Sequence, residues 1–145
     1  MAGGYSIELT DQARSVYERM YAEHERCIAA GDETNSKVTQ FRMIEEILEK
    51  IIPHDPFNPD RALAGKLSNM FRVKKGRIRV SYIGSSKKRH LVVLYISDTP
   101  RKEGDVSDPY VILTNLIVSG KFDQFFDALG VRKPVRKGLS PPTIQ

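Results

Sequence analysis

One short run of residues limits the folds open to this chain more than any other part of it. The run "LVVLYIS", residues 91–97, is apolar at odd and even positions alike, whereas a strand with one solvated face alternates. Because successive side chains point to opposite faces of a sheet, this strand needs protein cover on both sides. The sequence therefore predicts a central strand in a sheet that lies between two other layers.

The N-terminal half predicts one of these layers. "YSIEL" alternates and predicts a short first strand, and Thr10 or Asp11 can cap the helix that follows. Apolar residues at helical spacing predict that helix and a second one, which runs from about Ser36 and ends before Pro53. The two helices pair most simply as an antiparallel hairpin.

The C-terminal half predicts the rest of the sheet and the helices that end the fold. Strands are expected at 70–74, 78–83 and 90–96, with "GSSKKR" as the turn between the last two. After a polar loop, Asp108 and Pro109 form a strong helix start, and a short helix from "KFDQFFDALG" ends the fold. This order predicts an α+β domain in which an N-terminal helical hairpin packs on a small, mainly antiparallel sheet followed by C-terminal helices.

The length of 145 residues suits one domain. We assign residues 1–130 to that domain and residues 131–145 to a basic flexible tail, because the tail has four positive charges, three prolines and no acid. No apolar run reaches the roughly 18 residues of a membrane span. The N-terminus also lacks the pattern of a signal peptide, so the sequence predicts a soluble cytoplasmic protein.

Positive charge is concentrated in one region. The net charge is +5, and residues 66–90 hold nine Lys or Arg and no Asp or Glu. Such a cluster favours a polyanionic partner, either a nucleic acid or a membrane surface. Strand parity divides the stretch "FRVKKGRIRVSY", residues 71–82, so that apolar residues share one face and Arg72, Lys74, Arg77 and Arg79 share the other. A solvated face usually mixes charge signs, so a single sign favours a face that binds phosphates.

Metal and cofactor chemistry finds little support in the sequence. Cys27 is the one cysteine, and its spacing suits a helix core. His24, His54 and His90 do not have the spacing of metal ligands, and no Gly-rich phosphate loop is present. The sequence also gives no pattern that indicates a catalytic serine triad. We therefore expect no metal and no cofactor.

Two residues near the end of the central strand add a second candidate site. Arg101 lies in the loop after this strand, and Tyr110 lies in the first turn of the next helix. A helix start offers unpaired N–H groups and a positive dipole end, which suit a phosphate.

These residues together resemble a known family. "FRVKKGRIRVSYI", "LVVLYISD" and "PRKEGDVSDPY" before an apolar helix are similar to the YhaV-like branch of the RelE/ParE superfamily of bacterial type II toxins. The resemblance covers roughly residues 70–118. Its most specific part is a strand arginine combined with an Arg-x2-Gly-x3-Asp-x-Tyr run, here Arg101, Gly104, Asp108 and Tyr110.

The resemblance implies a RelE-like fold and an mRNA interferase that uses no metal, acts on mRNA, which can be on the ribosome, and is inhibited by a cognate antitoxin. Residue by residue, it places Arg79 at the strand arginine of the active site, Arg101 at the loop arginine, and Tyr110 at the tyrosine near the last helix, with Lys74 beside them. The remaining basic residues are expected to guide RNA: Arg72, Lys75, Arg77, Lys87 and Lys88.

The chemistry of metal-free RNA cleavage gives these groups different tasks. Arginine stays protonated, so Arg79 and Arg101 can only clamp the phosphate and stabilise its charge. A lysine crowded by other cations can act as base, which indicates Lys74 or Lys75, while Tyr110 can transfer a proton or stack on a base. The alternative is a toxin module without catalysis, which binds RNA or, like ParE, DNA gyrase.

Overall fold

Four strands form one mixed sheet at the centre of the molecule. The computed structural model describes residues 4–99 and 102–134 of the chain. The strands are β1 (Ser6–Leu9), β2 (Phe71–Lys75), β3 (Ile78–Ser85) and β4 (His90–Ser97). Their spatial order is β1-β4-β3-β2, with β1 parallel to β4 and the other neighbours antiparallel. The prediction that the apolar run forms an inner strand of a mainly antiparallel sheet is confirmed.

Helices cover both faces of this sheet, as the double-sided apolar pattern of β4 requires. They are α1 (Asp11–Ala29), α2 (Ser36–Glu46), a π-helical turn (Ile47–Ile51) that leads into the short α3 (Ile52–His54), α4 (Pro109–Val118) and α5 (Asp123–Leu129). The α+β class is therefore confirmed. The predicted end of the second helix before Pro53 is wrong, because helical turns continue to His54. Pro53 is tolerated there because it lies in the first turn of α3, where a helix needs no N–H donor.

Two hydrophobic cores result, one on each face of the sheet. In the first core, α1 and α2 pack against each other and on Val80, Tyr82 and Val93 of the sheet. In the second core, α4 and α5 pack on Ile83 and Leu94. Strand parity had placed Val80 and Tyr82 on the helical-hairpin side, and this prediction is confirmed. The opposite side of β3 is not a solvated surface, because the C-terminal helices lie over it.

Strict alternation fails within β4. Tyr82 pairs with Val93 and Ser81 pairs with Tyr95, so the pairing skips Leu94. An extra residue of this kind is a β-bulge, and it moves the following side chains to the other face. The bulge is bonded to the N-terminus of α1, where the Thr10 hydroxyl donates to the Leu94 carbonyl at 2.8 Å. Thr10 also caps α1 by accepting from the Ala13 N–H at 3.2 Å.

The start of the predicted tail contacts the domain. Val131 packs on the second core, and Lys133 Nζ lies 2.8 Å from an Asp123 carboxylate oxygen. Residues 135–145, which make up most of the predicted basic tail, lie outside the described residues. In the described part of the chain, no helix combines the length and the apolar character that crossing a membrane requires.

Candidate active site

The candidate site begins with basic side chains on one face of β2 and β3. In the antiparallel register, Lys74 lies opposite Arg79, and Arg72 lies opposite Ser81. Because residues two apart share a face, Arg72, Lys74 and Arg79 all point away from the helical hairpin. Lys74 is exposed and Arg72 is partly buried, whereas only 9% of Arg79 is exposed. The sequence had placed Arg79 on an outward surface, and this expectation is wrong because α4 covers it.

The start of α4 is fixed by a buried carboxylate. One oxygen of Asp108 accepts from the Tyr110 N–H at 2.9 Å, and the other accepts from the Gly104 N–H at 2.9 Å. Asp108 is 1% exposed and is the predicted N-cap of α4. These bonds hold the preceding loop against the helix and place the side chain of Tyr110 over the sheet.

Tyr110 joins the two arginines. Its ring centroid lies 5.8 Å from Arg72 Cζ and 5.9 Å from Arg79 Cζ, within the range of cation–π attraction. Arg72 also donates a hydrogen bond from Nη1 to the Tyr110 hydroxyl oxygen. We call Arg72, Arg79 and Tyr110 the arginine–tyrosine cluster. The sequence predicted Arg79 and Tyr110 as site residues but did not give Arg72 this central position.

The arginine–tyrosine cluster holds two positive charges but no acidic partner among the described residues. The Nε atoms of Arg72 and Arg79 are buried without a hydrogen-bond partner. Within the described ranges, no Asp or Glu forms an ion pair with either guanidinium group. A buried cation without a carboxylate is costly to the fold. An anion that accepts from these N–H groups would offset that cost.

A cleft of about 660 Å³ opens beside the cluster. Arg72, Asp108 and Tyr110 line it, together with Leu63, Ala64, Leu67, Glu103, Gly104, Val111, Thr114 and Asn115. Of these additional residues, sequence analysis had named only Gly104, as part of the loop motif. Residues 63–67 come from the connection before β2, and no local pattern indicates that they meet α4.

Comparison with known proteins identifies the family. A family model described as a toxin with endonuclease activity, of a toxin-antitoxin system, matches residues 7–133. The chain belongs to the YhaV toxin family. It is thus the toxin of a toxin-antitoxin system and has endonuclease activity, and the resemblance drawn from the strand and loop motifs is confirmed.

The other comparisons add little detail. No curated protein sequence matches this YhaV-family chain. A solved structure of the toxin-antitoxin complex RelBE2 from Mycobacterium tuberculosis contains a chain that is 15% identical, with a TM-score of 0.47. That match covers 67% of the YhaV-family chain and 92% of the chain in the complex.

Two of the predicted RNA-binding residues of the YhaV-family toxin lie outside the cluster but close to it in sequence. Lys75 is on the helical-hairpin side of β2, where its Nζ lies 2.9 Å from a Glu46 oxygen. The hydrogen bond and charge of Lys75 lower the pKa of the Glu46 carboxyl. Arg77 is exposed in the turn between β2 and β3, next to Gly76 with φ of 60°. The sequence had placed Arg77 on the same strand face as Arg79.

Two other predicted residues lie far from the cluster, and a third is outside the described residues. Lys87 and Lys88 lie in the hairpin turn between β3 and β4, at the opposite end of the sheet from Arg79. Ser85 comes six residues after Arg79 along β3, which corresponds to about 20 Å. Lys88 Nζ donates to the Ala128 carbonyl at 2.5 Å. Arg101 lies outside the described residues.

Among the described residues of the YhaV-family chain, neither a metal site nor a serine–histidine pair lies at the arginine–tyrosine cluster. In residues 4–99 and 102–134, no group of three or more His, Cys, Asp or Glu is placed to hold a metal ion. His90 contacts Ser6 Oγ through Nδ1 at 2.6 Å and Glu8 Oε1 through Nε2 at 3.0 Å. Such a Ser–His–Glu arrangement was not predicted. It lies where β1 and β4 begin, with Ser6 and Glu8 exposed and His90 partly exposed. Neither Ser6 nor His90 lines the cleft beside the arginine–tyrosine cluster.

Proposed function

We propose that this toxin has a RelE-like fold and is an endoribonuclease in which the arginine–tyrosine cluster holds the scissile phosphate. The observation that supports this proposal best is a pair of arginines, Arg79 buried and Arg72 partly buried, whose buried Nε atoms have no hydrogen-bond partner among the described residues. A phosphate oxygen is the acceptor that such planar donors bind best. Because Arg79 is covered by the Tyr110 ring, substrate binding requires this ring to move or to take part in the contact.

In the proposed reaction, the ribose 2'-OH attacks the adjacent phosphorus while the bond from phosphorus to the 5'-oxygen breaks. The products are a 2',3'-cyclic phosphate and a 5'-hydroxyl end. Negative charge grows on the phosphate oxygens in the transition state, and Arg72 and Arg79 stabilise it at fixed positions. Arg101 is proposed as a further cation at this phosphate. Since guanidinium groups supply the charge, the reaction is expected to need no metal ion.

Two proton transfers complete the reaction. Lys74, directly opposite Arg79, is proposed to accept the proton of the 2'-OH in its neutral form. Lys75 is the weaker candidate because it faces the helical hairpin and pairs with Glu46. Tyr110 is proposed to give a proton to the 5'-oxygen that leaves. The hydrogen bond from Arg72 holds the Tyr110 hydroxyl beside the arginine pair, where the leaving oxygen would lie.

The proposed substrate is mRNA, free or on the ribosome, and the proposed inhibitor is a cognate antitoxin. The basic residues on β2 and in the two hairpin turns would attract the RNA backbone. The alternative of a binding module that does not cleave RNA is disfavoured by the family's endonuclease activity.

The test uses purified toxin and RNA in EDTA, with and without translating ribosomes. The unmodified toxin is expected to produce 2',3'-cyclic phosphate ends. Tyr110→Phe is expected to lower the cleavage rate at least about a hundredfold, because one acid or base group typically contributes about 10²–10⁴-fold to the rate. Arg42→Ala, an exposed arginine on α2, serves as the control and should cleave normally. Intact RNA under every condition would rule out the proposed reaction.

A further inference from the structure

The cleft beside the arginine–tyrosine cluster continues along α4 beyond the charged groups. Val111, Thr114 and Asn115 line it from α4, because residues three and four apart share one face of a helix. Leu63 and Leu67 line the opposite wall. The cleft thus has an apolar wall that faces a helix with one hydroxyl and one side-chain amide.

Arg72 connects this cleft to the proposed phosphate site. It lines the cleft, its Nη1 donates to Tyr110, and its Nε is buried without a partner. A phosphate bound by the Nε atoms of Arg72 and Arg79 would therefore lie at the mouth of the cleft. The nucleoside attached to that phosphate would therefore lie next to the apolar part of the cleft.

The polar groups farther along α4, the partly buried Thr114 and the exposed Asn115, suit the edge of a nucleobase. The side chains of Thr114 and Asn115 make no hydrogen bond to another described residue. An amide offers both a donor and an acceptor, which is the combination that the Watson–Crick edge of an unpaired base can match. The Leu63 and Leu67 side chains and the Tyr110 ring can contact the apolar faces of such a base.

We propose that this cleft binds one unpaired nucleobase of the RNA next to the scissile phosphate, and that Asn115 determines which base is preferred. The inference rests on the proposed function, since the phosphate at the arginine pair positions the base. A volume of about 660 Å³ lies within the range of small-molecule sites and leaves room for a nucleoside. A base in a duplex has its edge occupied, so the cleft selects single-stranded RNA.

Binding tests the inference without depending on cleavage. The full set of dinucleotides, each blocked by a 2'-O-methyl group, is titrated against the toxin, Asn115→Ala and Asn115→Asp. One base at one position is expected to bind about tenfold more tightly than the others, as for one specific base contact. Asn115→Ala should remove this preference, and Asn115→Asp, which exchanges the amide donor for an acceptor, should move it to another base. Gln124→Ala, an exposed amide on α5, is the control and should keep the preference.

Cleavage-site mapping on RNA of random sequence separates this inference from the proposed function. Cleavage with the same base preference, lost in Asn115→Ala, supports both. Base-selective dinucleotide binding by a toxin that leaves RNA intact supports the nucleobase site and overturns the proposed reaction. If the toxin cleaves RNA but binds all dinucleotides alike, or if Asn115→Ala keeps the preference, the nucleobase site is overturned and the proposed reaction stands.

Discussion

Arg79 combines burial, positive charge and an unpaired donor. Its guanidinium lies under the Tyr110 ring, it is 9% exposed, and its Nε has no partner. A buried charge that no carboxylate pairs with carries a desolvation cost, which an apolar side chain of similar size does not have. Arg79→Met is therefore expected to raise the free energy of unfolding by about 1 kcal/mol or more, while RNA cleavage falls at least about a hundredfold.

Urea unfolding and initial cleavage rates measure these two effects. Arg42→Met on the exposed face of α2 is the matched control and should change neither quantity. A large loss of stability in Arg79→Met would show that the guanidinium holds the fold together. In that case the loss of cleavage would no longer indicate a role at the phosphate.

Helix α4 is the element that converts a basic strand face into a site. Its N-cap Asp108 bonds both to the helix and to the Gly104 N–H. Asp108→Ala is expected to lower the free energy of unfolding by about 1–2 kcal/mol, which is typical for the loss of an N-cap. The variant should also cleave RNA more slowly, because Tyr110 is no longer held over the arginines. Asp108→Asn keeps one acceptor oxygen, so its stability and activity should lie between those of the unmodified toxin and Asp108→Ala. Equal activity in all three proteins would mean that the cap does not position Tyr110.

The strands and helices also show which features of the fold and the site can be predicted from sequence and which cannot. Strand parity placed Arg72, Lys74 and Arg79 on one face correctly, because the pleat of β2 and β3 fixes it locally. Local patterns could not show that α4 would bury Arg79. They also could not show that the bulge at Leu94 would change the alternation of β4, or that residues 63–67 would form a wall of the cleft. These features depend on contacts between segments that are far apart in the chain.

At the scale of the whole molecule, one sheet is shared by two cores, and Tyr82 ties the first core to the long connection before β2. Its side chain is fully buried, and its hydroxyl donates to the Pro56 carbonyl at 2.5 Å. Burial raises the pKa of Tyr82 from 10.0 to about 12. The folded state thus favours the neutral phenol. The stability that depends on this group is complete below pH 10 and is lost as the pH rises through about 12.

Tyr82→Phe removes both the hydrogen bond and the titration. Below pH 10, the variant is expected to be less stable than the unmodified toxin by about 1 kcal/mol. This gap should narrow as the pH rises toward 12, because only the unmodified protein has to keep a buried phenol neutral. Urea unfolding across this range measures the gap. A gap that stays constant with pH would mean that Tyr82 does not titrate with unfolding.

The distribution of charge over the whole surface gives a last prediction, which concerns Lys87 and Lys88. They lie about 20 Å along the sheet from Arg79, so a dinucleotide at the arginine pair cannot reach them, whereas a long RNA can. Replacing both by Gln is expected to leave dinucleotide affinity unchanged and to weaken binding of long RNA. The salt slope of log affinity should also become shallower by about 1.4, roughly 0.7 for each of the two lysines on single-stranded RNA.

A variant with Arg42→Gln and Lys50→Gln on the helical hairpin loses the same net charge on the other side of the sheet. If only net charge attracts RNA, both double variants will weaken the binding of long RNA equally. A larger effect from replacing Lys87 and Lys88 would instead show that the RNA extends along the sheet from the arginine pair to the turn between β3 and β4. The ratio of the two effects therefore distinguishes a defined RNA path from general attraction between a cationic protein and a polyanion.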